Sequence, residues 1–236
     1  MILRNFFISA FIIIFTVSCG QPDQEWNSYG LDLSNQRFSR ITQINKTNVE
    51  TLEMAWQVQT GVPATFQSTP IVHEGVMFVS LPFNNVLALD AKTGNEIWRY
   101  EHDLNPNWKL CCGPSNRGVA LQGKQLFFGT VDARLISLNI KTGEKIWDIN
   151  VVKNNVETES ISDLDESDAN SDKQISGGTG VGISMAPVVY DGKVIIGITG
   201  VGYGLHVEEE GANTPLGAVV GVSGKYGRSG FLAAYD

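Results

Sequence analysis

The chain carries two adjacent cysteines, Cys111 and Cys112, followed within a few residues by Asn116-Arg117-Gly118. Neighbouring Cα atoms across a trans peptide lie about 3.8 Å apart, short of the roughly 4.4–6.8 Å usual for a disulfide. A bond between such neighbours makes a small, strained ring with a stiff, flat profile, and it closes almost no loop, so it adds little to stability. That argues for a role in a site. The alternative is two reduced thiols packed in a core, and the pair alone leaves both open. Other candidate chemistry is thin. Asp163-Leu-Asp165 lacks the Gly at the sixth position and the Glu at the twelfth that a calcium loop requires. His73, His102 and His206 show no metal-ligand spacing and read as surface or packing residues. The run Gly177-Gly-Thr-Gly-Val-Gly182 matches neither dinucleotide nor phosphate-loop spacing and reads as loop.

What must position these residues is a repeat. Val86-Leu-Ala-Leu-Asp90-Ala-Lys-Thr-Gly94-Asn-Glu-Ile-Trp98 returns as Leu135-Ile-Ser-Leu-Asn139-Ile-Lys-Thr-Gly143-Glu-Lys-Ile-Trp147, and its first half returns again as Phe231-Leu-Ala-Ala-Tyr235-Asp236. Each copy reads as strand, tight turn, strand ending in Trp. Asp or Asn bonds its own backbone two residues on, and Gly supplies a positive φ. Asp236 is therefore a turn residue and not a catalytic base. A second hairpin precedes each copy: Ser68–Ser80 turning at Glu74-Gly75, Gly118–Gly129 at Gly123, and Ala186–Gly197 at Gly192. Four strands per repeat of about 40–50 residues make one propeller blade. Trp56, within Leu52–Gly61, reads as an earlier, diverged copy of the Trp-ended strand, and a large ring at one fixed place per repeat suits packing between blades. The fold expected is all-β, a partial propeller of about three four-stranded blades over 25–236.

The 236 residues carry 17 Lys+Arg against 25 Asp+Glu, a formal charge of −8. That excludes nucleic acid, which asks for clustered cations, and disfavours anionic lipid surfaces. Residues 1–19 combine a basic tip at Arg4 with a short apolar stretch and read as an export signal. Residues 20–24 form a tether. Ile41–Leu52 has room for a short helical turn. Two insertions are expected, at about 153–180, where Asn154–Lys173 is acidic and reads as a solvated loop, and at about 205–226, holding Glu208-Glu209-Glu210. Three blades cannot close a ring, so the chain is expected to be the N-terminal part of a longer protein or a truncated product.

Four segments together resemble the quinoprotein alcohol dehydrogenases: Trp26-x-x-Tyr29-Gly30 with Asn35-Gln-Arg37-Phe38-Ser39, Gln67-Ser-Thr-Pro70 with Gly75-Val-Met-Phe78, Cys111-Cys112 with Asn116-Arg117-Gly118, and Ala186-Pro187 with Gly192-Lys-Val-Ile-Ile-Gly197. The resemblance runs in register from about residue 25 onward. It implies an eight-bladed periplasmic propeller that oxidises alcohols to aldehydes with pyrroloquinoline quinone (PQQ) and a calcium or lanthanide ion, passing electrons to cytochrome c or a membrane quinone. By that likeness Cys111 and Cys112 form the vicinal disulfide against one face of the quinone. Arg117 binds a PQQ carboxylate, a task for a rigid bidentate guanidinium, and Ser184, Thr199 and Gly200 face the cofactor. Thr16-Val-Ser-Cys19 is similar to a bacterial lipobox, with Thr where Leu is usual, and implies a lipid anchor on Cys19.

Two positions depart from the family pattern. Gln67 stands where the family has Glu, and Gly202 where it has a Glu metal ligand; Glu208, Glu209 and Glu210 are weak substitutes. The family's catalytic Asp, Asn metal ligand and facing Trp lie beyond Asp236, so no catalytic residue is expected in this chain, which alone should be inactive. A different class shares the repeat: outer-membrane lipoproteins that scaffold β-barrel assembly and bind no quinone. The lipobox, Gln67 and Gly202 suit that alternative, whereas the Cys-Cys and Asn-Arg-Gly loop suits the enzyme.

Overall fold

The computed structural model describes residues 26, 28–104, 113–151, 174–208 and 230–236, with 174–181 and 200–208 as backbone only. The export signal with Cys19, the Cys111–Cys112 pair, the acidic stretch 154–173 and Glu209-Glu210 lie outside these residues. The strands run β1 Ile71–His73, β2 Val76–Ser80, β3 Val86–Asp90, β4 Glu96–Tyr100, β5 Ala120–Gln122, β6 Gln125–Gly129, β7 Arg134–Asn139, β8 Lys145–Asn150, β9 Gln174–Gly182, β10 Val188–Tyr190, β11 Lys193–Glu208 and β12 Phe231–Tyr235. They form an antiparallel meander β1-β2-β3-β4, a second meander β5-β6-β7-β8, and a third sheet β10-β11-β12 in which β9 also pairs with β11. Two four-stranded blades and three strands of a third are thus in place. The expected helical turn is a 3-10 turn at Val49–Thr51.

The turns do what their residues demand. Asp90 Oδ1 accepts from the Lys92 and Thr93 N–H groups and from Thr93 Oγ1, and Asn139 Oδ1 accepts from the N–H groups of Lys141 and Thr142. Gly94 (φ 75°) and Gly143 (φ 72°) close them. Both residues of the Glu74-Gly75 and Asp191-Gly192 turns are left-handed, matching the twist of the strands they join. At Ile97 in β4 and Ile146 in β8 the ladder slips by one residue. Both are half-exposed bulge residues that set the following Trp on the face toward the next blade.

The blades stack face to face because side chains alternate along each strand. Phe78, Val86, Ala88 and Trp98 on one face of the first blade meet Val119, Leu126, Phe128, Ile136 and Leu138 of the second. The other face of the second blade, Phe127 and Leu135, meets Ile183, Val194, Ile196 and Ile198 of the third. The other face of the first blade, with Val79, Leu87 and Leu89, is covered by Trp56, Val58 and Val62. Within a blade one row repeats: Phe78–Ala88–Trp98, then Phe127–Ser137–Trp147. The small central residue lets the two aromatics meet over it, with centroids 5.9 and 5.7 Å apart.

Trp56 and Trp98 each lie on the turn of the blade that follows them. Trp98 Nε1 donates to Ile140 O (3.0 Å) and Trp56 Nε1 to Ala91 O (3.2 Å). A Cβ on Gly143 would lie 2.6 Å from the Trp98 ring, and one on Gly94 2.7 Å from Trp56. Trp56 therefore has the packing role of its repeat, but its segment is extended without a ladder, so the strand expected there is absent.

One further expectation is corrected: the Gly177–Gly182 run is strand β9, not loop. Strand β11 continues to Glu208, so regular structure enters both expected insertions. The pairing runs from Thr199–Gly182 to Glu208–Gln174 with two register shifts. Both strands are rich in glycine, which has no side chain to show a period of two, so the pattern was silent. Gly143→Ala is expected to cost about 2–4 kcal/mol, combining a left-handed penalty with overpacking. In a Trp98→Ala background it should cost markedly less, since the clash is gone. Urea unfolding of the unmutated protein, the two single variants and the double variant measures this, and equal costs in both backgrounds would refute the contact.

Candidate functional site

In each blade the chain enters through the short first strand, and the three lead-ins, Gln67–Thr69, Ser115–Gly118 and Ser184–Ala186, are bonded in series. The Thr69 N–H donates to Arg117 O (3.2 Å), and the Arg117 N–H donates to Ser184 O (3.0 Å). Side chains follow the backbone: Arg117 Nη1 donates to Ser184 Oγ (2.7 Å), and Ser115 Oγ donates to Gln67 Oε1 (3.3 Å). Gly118 (φ 145°) has no room to spare, since a Cβ there would stand 3.3 Å from Ala186 Cβ and 3.4 Å from Thr69 O. Thr199, half-buried, pairs with Gly182, two residues before Ser184. Arg117 and Ser184, far apart in sequence, thus meet; Gln67 joins the same lead-ins through Ser115, and Thr199 is placed by its pairing with Gly182. Gly200 and Gly202 continue along β11. Glu208 ends that strand, nine residues and roughly 30 Å of strand beyond Thr199, so the backbone does not bring it to the cluster.

The β2–β3 turn bonds the described residues on both sides of 105–112. The Phe83 N–H donates to Pro114 O (3.0 Å) on one side, and Asn85 Oδ1 accepts from the His102 N–H (2.9 Å) on the other. Phe83 (φ 62°) and Asn84 (φ 63°) are both left-handed, a strain of order 1–3 kcal/mol at a non-glycine that the fully buried Asn84 shares in holding, its Oδ1 accepting from the Val131 N–H (3.2 Å). His102 Nε2 lies 3.0 and 2.9 Å from the two carboxylate oxygens of Asp132 on the next blade. In the sequence His102 reads as a surface or packing residue, and this pair is not visible; the Asn84-Asn85 dipeptide, tolerant of left-handed backbone, is the available signal for the turn.

Burial alone would push the Asp132 carboxyl up, but hydrogen bonds from His102 and Thr130 outweigh it and hold the group below its ordinary 3.8. Tyr100, within 3.5 Å of His102 Nδ1, is pushed up to about 12, first by burial and then by Asp148 and Asp132. Among the described residues no three His, Cys, Asp or Glu side chains cluster as a metal site.

Successive four-stranded antiparallel sheets stacked face to face are the architecture of a β-propeller. Residues 26–222 match a family model described as "PQQ: Glucose/ethanol/alcohol dehydrogenase, beta-propeller domain". The chain is 35% identical over 187 residues to quinohemoprotein alcohol dehydrogenase ADH IIB of Pseudomonas putida, covering 78% of this chain and 24% of that protein. It is 36% identical over 183 residues to the quinohemoprotein alcohol dehydrogenase of Comamonas testosteroni, covering 77% and 23%. The crystal structure of the quinohemoprotein alcohol dehydrogenase from Comamonas testosteroni superposes with a TM-score of 0.62 at 34% identity, over 78% of this chain and 24% of that one. A europium-containing methanol dehydrogenase gives 0.61 at 27%, over 79% and 30%. The chain belongs to this PQQ-dependent dehydrogenase propeller family, and it spans about a quarter of the length of the curated relatives it matches.

The cluster offers a donor set suited to an anion. Arg117 is exposed, no carboxylate lies against it among the described ion pairs, and Ser184, Ser115 and Gln67 add neutral hydrogen-bonding groups around it.

The His102–Asp132 pair carries a pH prediction. A depressed carboxyl contributes stability that is present above its unfolded value near 3.8 and is lost as pH falls through the folded value. Asp132→Asn should therefore lose less stability than the unmutated protein on acidification from about pH 5 to below pH 3.8. Urea midpoints across that range measure the difference, and parallel losses would refute it.

Proposed function

We propose that this chain supplies the first blades, and with them one wall and part of the floor of the PQQ site, of a longer exported alcohol dehydrogenase that converts alcohols to aldehydes. The observation that carries the reading is the Arg117–Ser184 contact at 2.7 Å in a chain of this family. Bound PQQ supplies the two-electron acceptor that takes hydride from the alcohol. Arg117 holds a carboxylate of the quinone through its planar fork, Ser184 keeps that fork aimed, and Thr199 and Gly200 bound the same side. Gln67 contributes hydrogen-bonding reach without charge. Cys111 and Cys112, joined, form the stiff surface against one quinone face. Catalytic groups come from residues outside this chain, electrons pass to cytochrome c or a membrane quinone, and the 236 residues alone are inactive.

A calcium or lanthanide ion belongs to the reading as well, with its family carboxylate replaced by Gly202. The europium named in one relative's structure makes a lanthanide a necessary arm of any test. The site lies in the periplasm, with the chain attached to the membrane through lipidated Cys19.

PQQ titrated into the complete gene product, with calcium and separately with a lanthanide, should give a bound-quinone absorption band. Arg117→Ala should weaken binding about 10–100-fold, the worth of hydrogen bonds to a charged partner, and Arg117→Lys should recover little of it. A missing band with both ions overturns the proposal and favours the scaffold alternative, to which the uncharged Gln67 and Gly202 point. Palmitate labelling in cells should disappear in Cys19→Ala; label retained in that variant, or none in the unmutated protein, refutes the anchor.

A further inference from the structure

Asn116 is 1% exposed, and its amide is used at both ends. Nδ2 donates to Gly129 O (2.7 Å), and Oδ1 accepts from the Gly118 N–H (3.0 Å). Neither partner has a side chain, so the amide holds backbone and nothing else. Following these bonds outward gives a closed circuit. Asn116 grips Gly129; the next residue, Thr130, accepts at its carbonyl from the Ile183 N–H (2.8 Å); the residue after Ile183 is Ser184, whose carbonyl accepts from the Arg117 N–H (3.0 Å); and Arg117 is bonded covalently to Asn116. Three hydrogen bonds and three peptide links thus join two blades in one ring, and the Arg117–Ser184 side-chain contact spans it. The ring is tight where it passes Gly129, since a Cβ there would stand 2.2 Å from Ile183 Cγ2. A second, smaller ring, Asn116 Oδ1 to the Gly118 N–H, fixes the backbone on both sides of Arg117, with Gly118 at a φ of 145° that a side chain would resist.

We propose that Asn116 is a positioning residue: through this circuit it sets the place and direction of the Arg117 guanidinium relative to the Ser184 hydroxyl, and so the affinity of the site for a carboxylate-bearing quinone. The proposal rests on Arg117 being the carboxylate-binding residue of the previous section. A buried amide that only satisfies core backbone would affect stability alone. One that aims a guanidinium affects binding only while that guanidinium is present.

A double-mutant cycle separates the two. Asn116→Ser keeps an oxygen for the Gly118 N–H but cannot reach Gly129 O. Asn116→Asp keeps the shape, loses the donor, and serves as the second variant if the serine form does not fold. PQQ dissociation constants are read by tryptophan quenching on the complete gene product, at a temperature where circular dichroism shows every variant folded. The Asn116 change should weaken binding about tenfold with Arg117 present and less than about twofold in the Arg117→Ala background. Equal losses in both backgrounds, or no loss in either, overturn the positioning role and leave the PQQ reading standing. No quenching by PQQ in the unmutated protein removes that reading and this inference with it.

Discussion

The indole of Trp98 lies flat across Gly143, and the arrangement holds only because that glycine has no Cβ: one would sit 2.6 Å from the ring. Trp56 does the same to Gly94. In both, the ring nitrogen donates to the carbonyl one residue past the turn's Asp or Asn, so the indole N–H, buried in Trp98 and half-buried in Trp56, is satisfied by the contact that covers the ring. Stacking is thereby locked at a defined angle. Two sheets in contact only through Val, Leu and Phe could slide past one another with little loss, whereas an indole seated on a bare backbone and bonded to it cannot.

The site inherits its precision from that lock. Turns and lead-ins lie at opposite ends of a blade, and short strands of three to six residues in the meanders of the first two blades carry the position of one end to the other. With the first two blades fixed at the turn end, their lead-ins come close enough for the Thr69 N–H to bond Arg117 O, and the Arg117 N–H continues the series to Ser184 O on the third. Once the backbone is bonded, the Arg117 side chain needs no large search to reach Ser184 Oγ. The neighbouring brace is built differently. There the chain tolerates left-handed Phe83 and Asn84 because three bonds, to Pro114, Val131 and His102, over-determine the turn.

What could be read in the sequence follows from the same logic. The Asp90 and Asn139 turns, the two glycines and the Trp were legible because each is a local device repeated at a fixed spacing, and in both copies the Asp or Asn oxygen accepts from the N–H groups two and three residues on. Gln67, Arg117 and Ser184 were found through likeness to a family, since nothing in their spacing says that three separate lead-ins touch. The strands β9 and distal β11 were not legible, because glycine carries no alternation and their register shifts twice. Nor was the His102–Asp132 pair, whose partners lie on different blades and meet only after stacking. Trp56 was half legible: its ring does the expected packing, but the ladder around it is missing, since ring placement needs only an extended segment and a free indole N–H.

The charge of the cluster is worth setting against that of the chain. The whole sequence is acidic by eight charges, yet among the described lead-in residues Arg117 is the one ionised side chain, and Gln67 meets Ser115 as a neutral amide. A carboxylate at position 67 would accept from the same hydroxyl while partly cancelling Arg117 for any approaching anion. An amide keeps the hydrogen bond and leaves the cation uncompensated, so the local field favours anions even though the surrounding protein repels them. Because a hydrogen bond to a charged group is worth more than a neutral one and charged pairs gain further where water is excluded, one guanidinium held in place by backbone on both sides can outweigh a distant, screened excess of carboxylates.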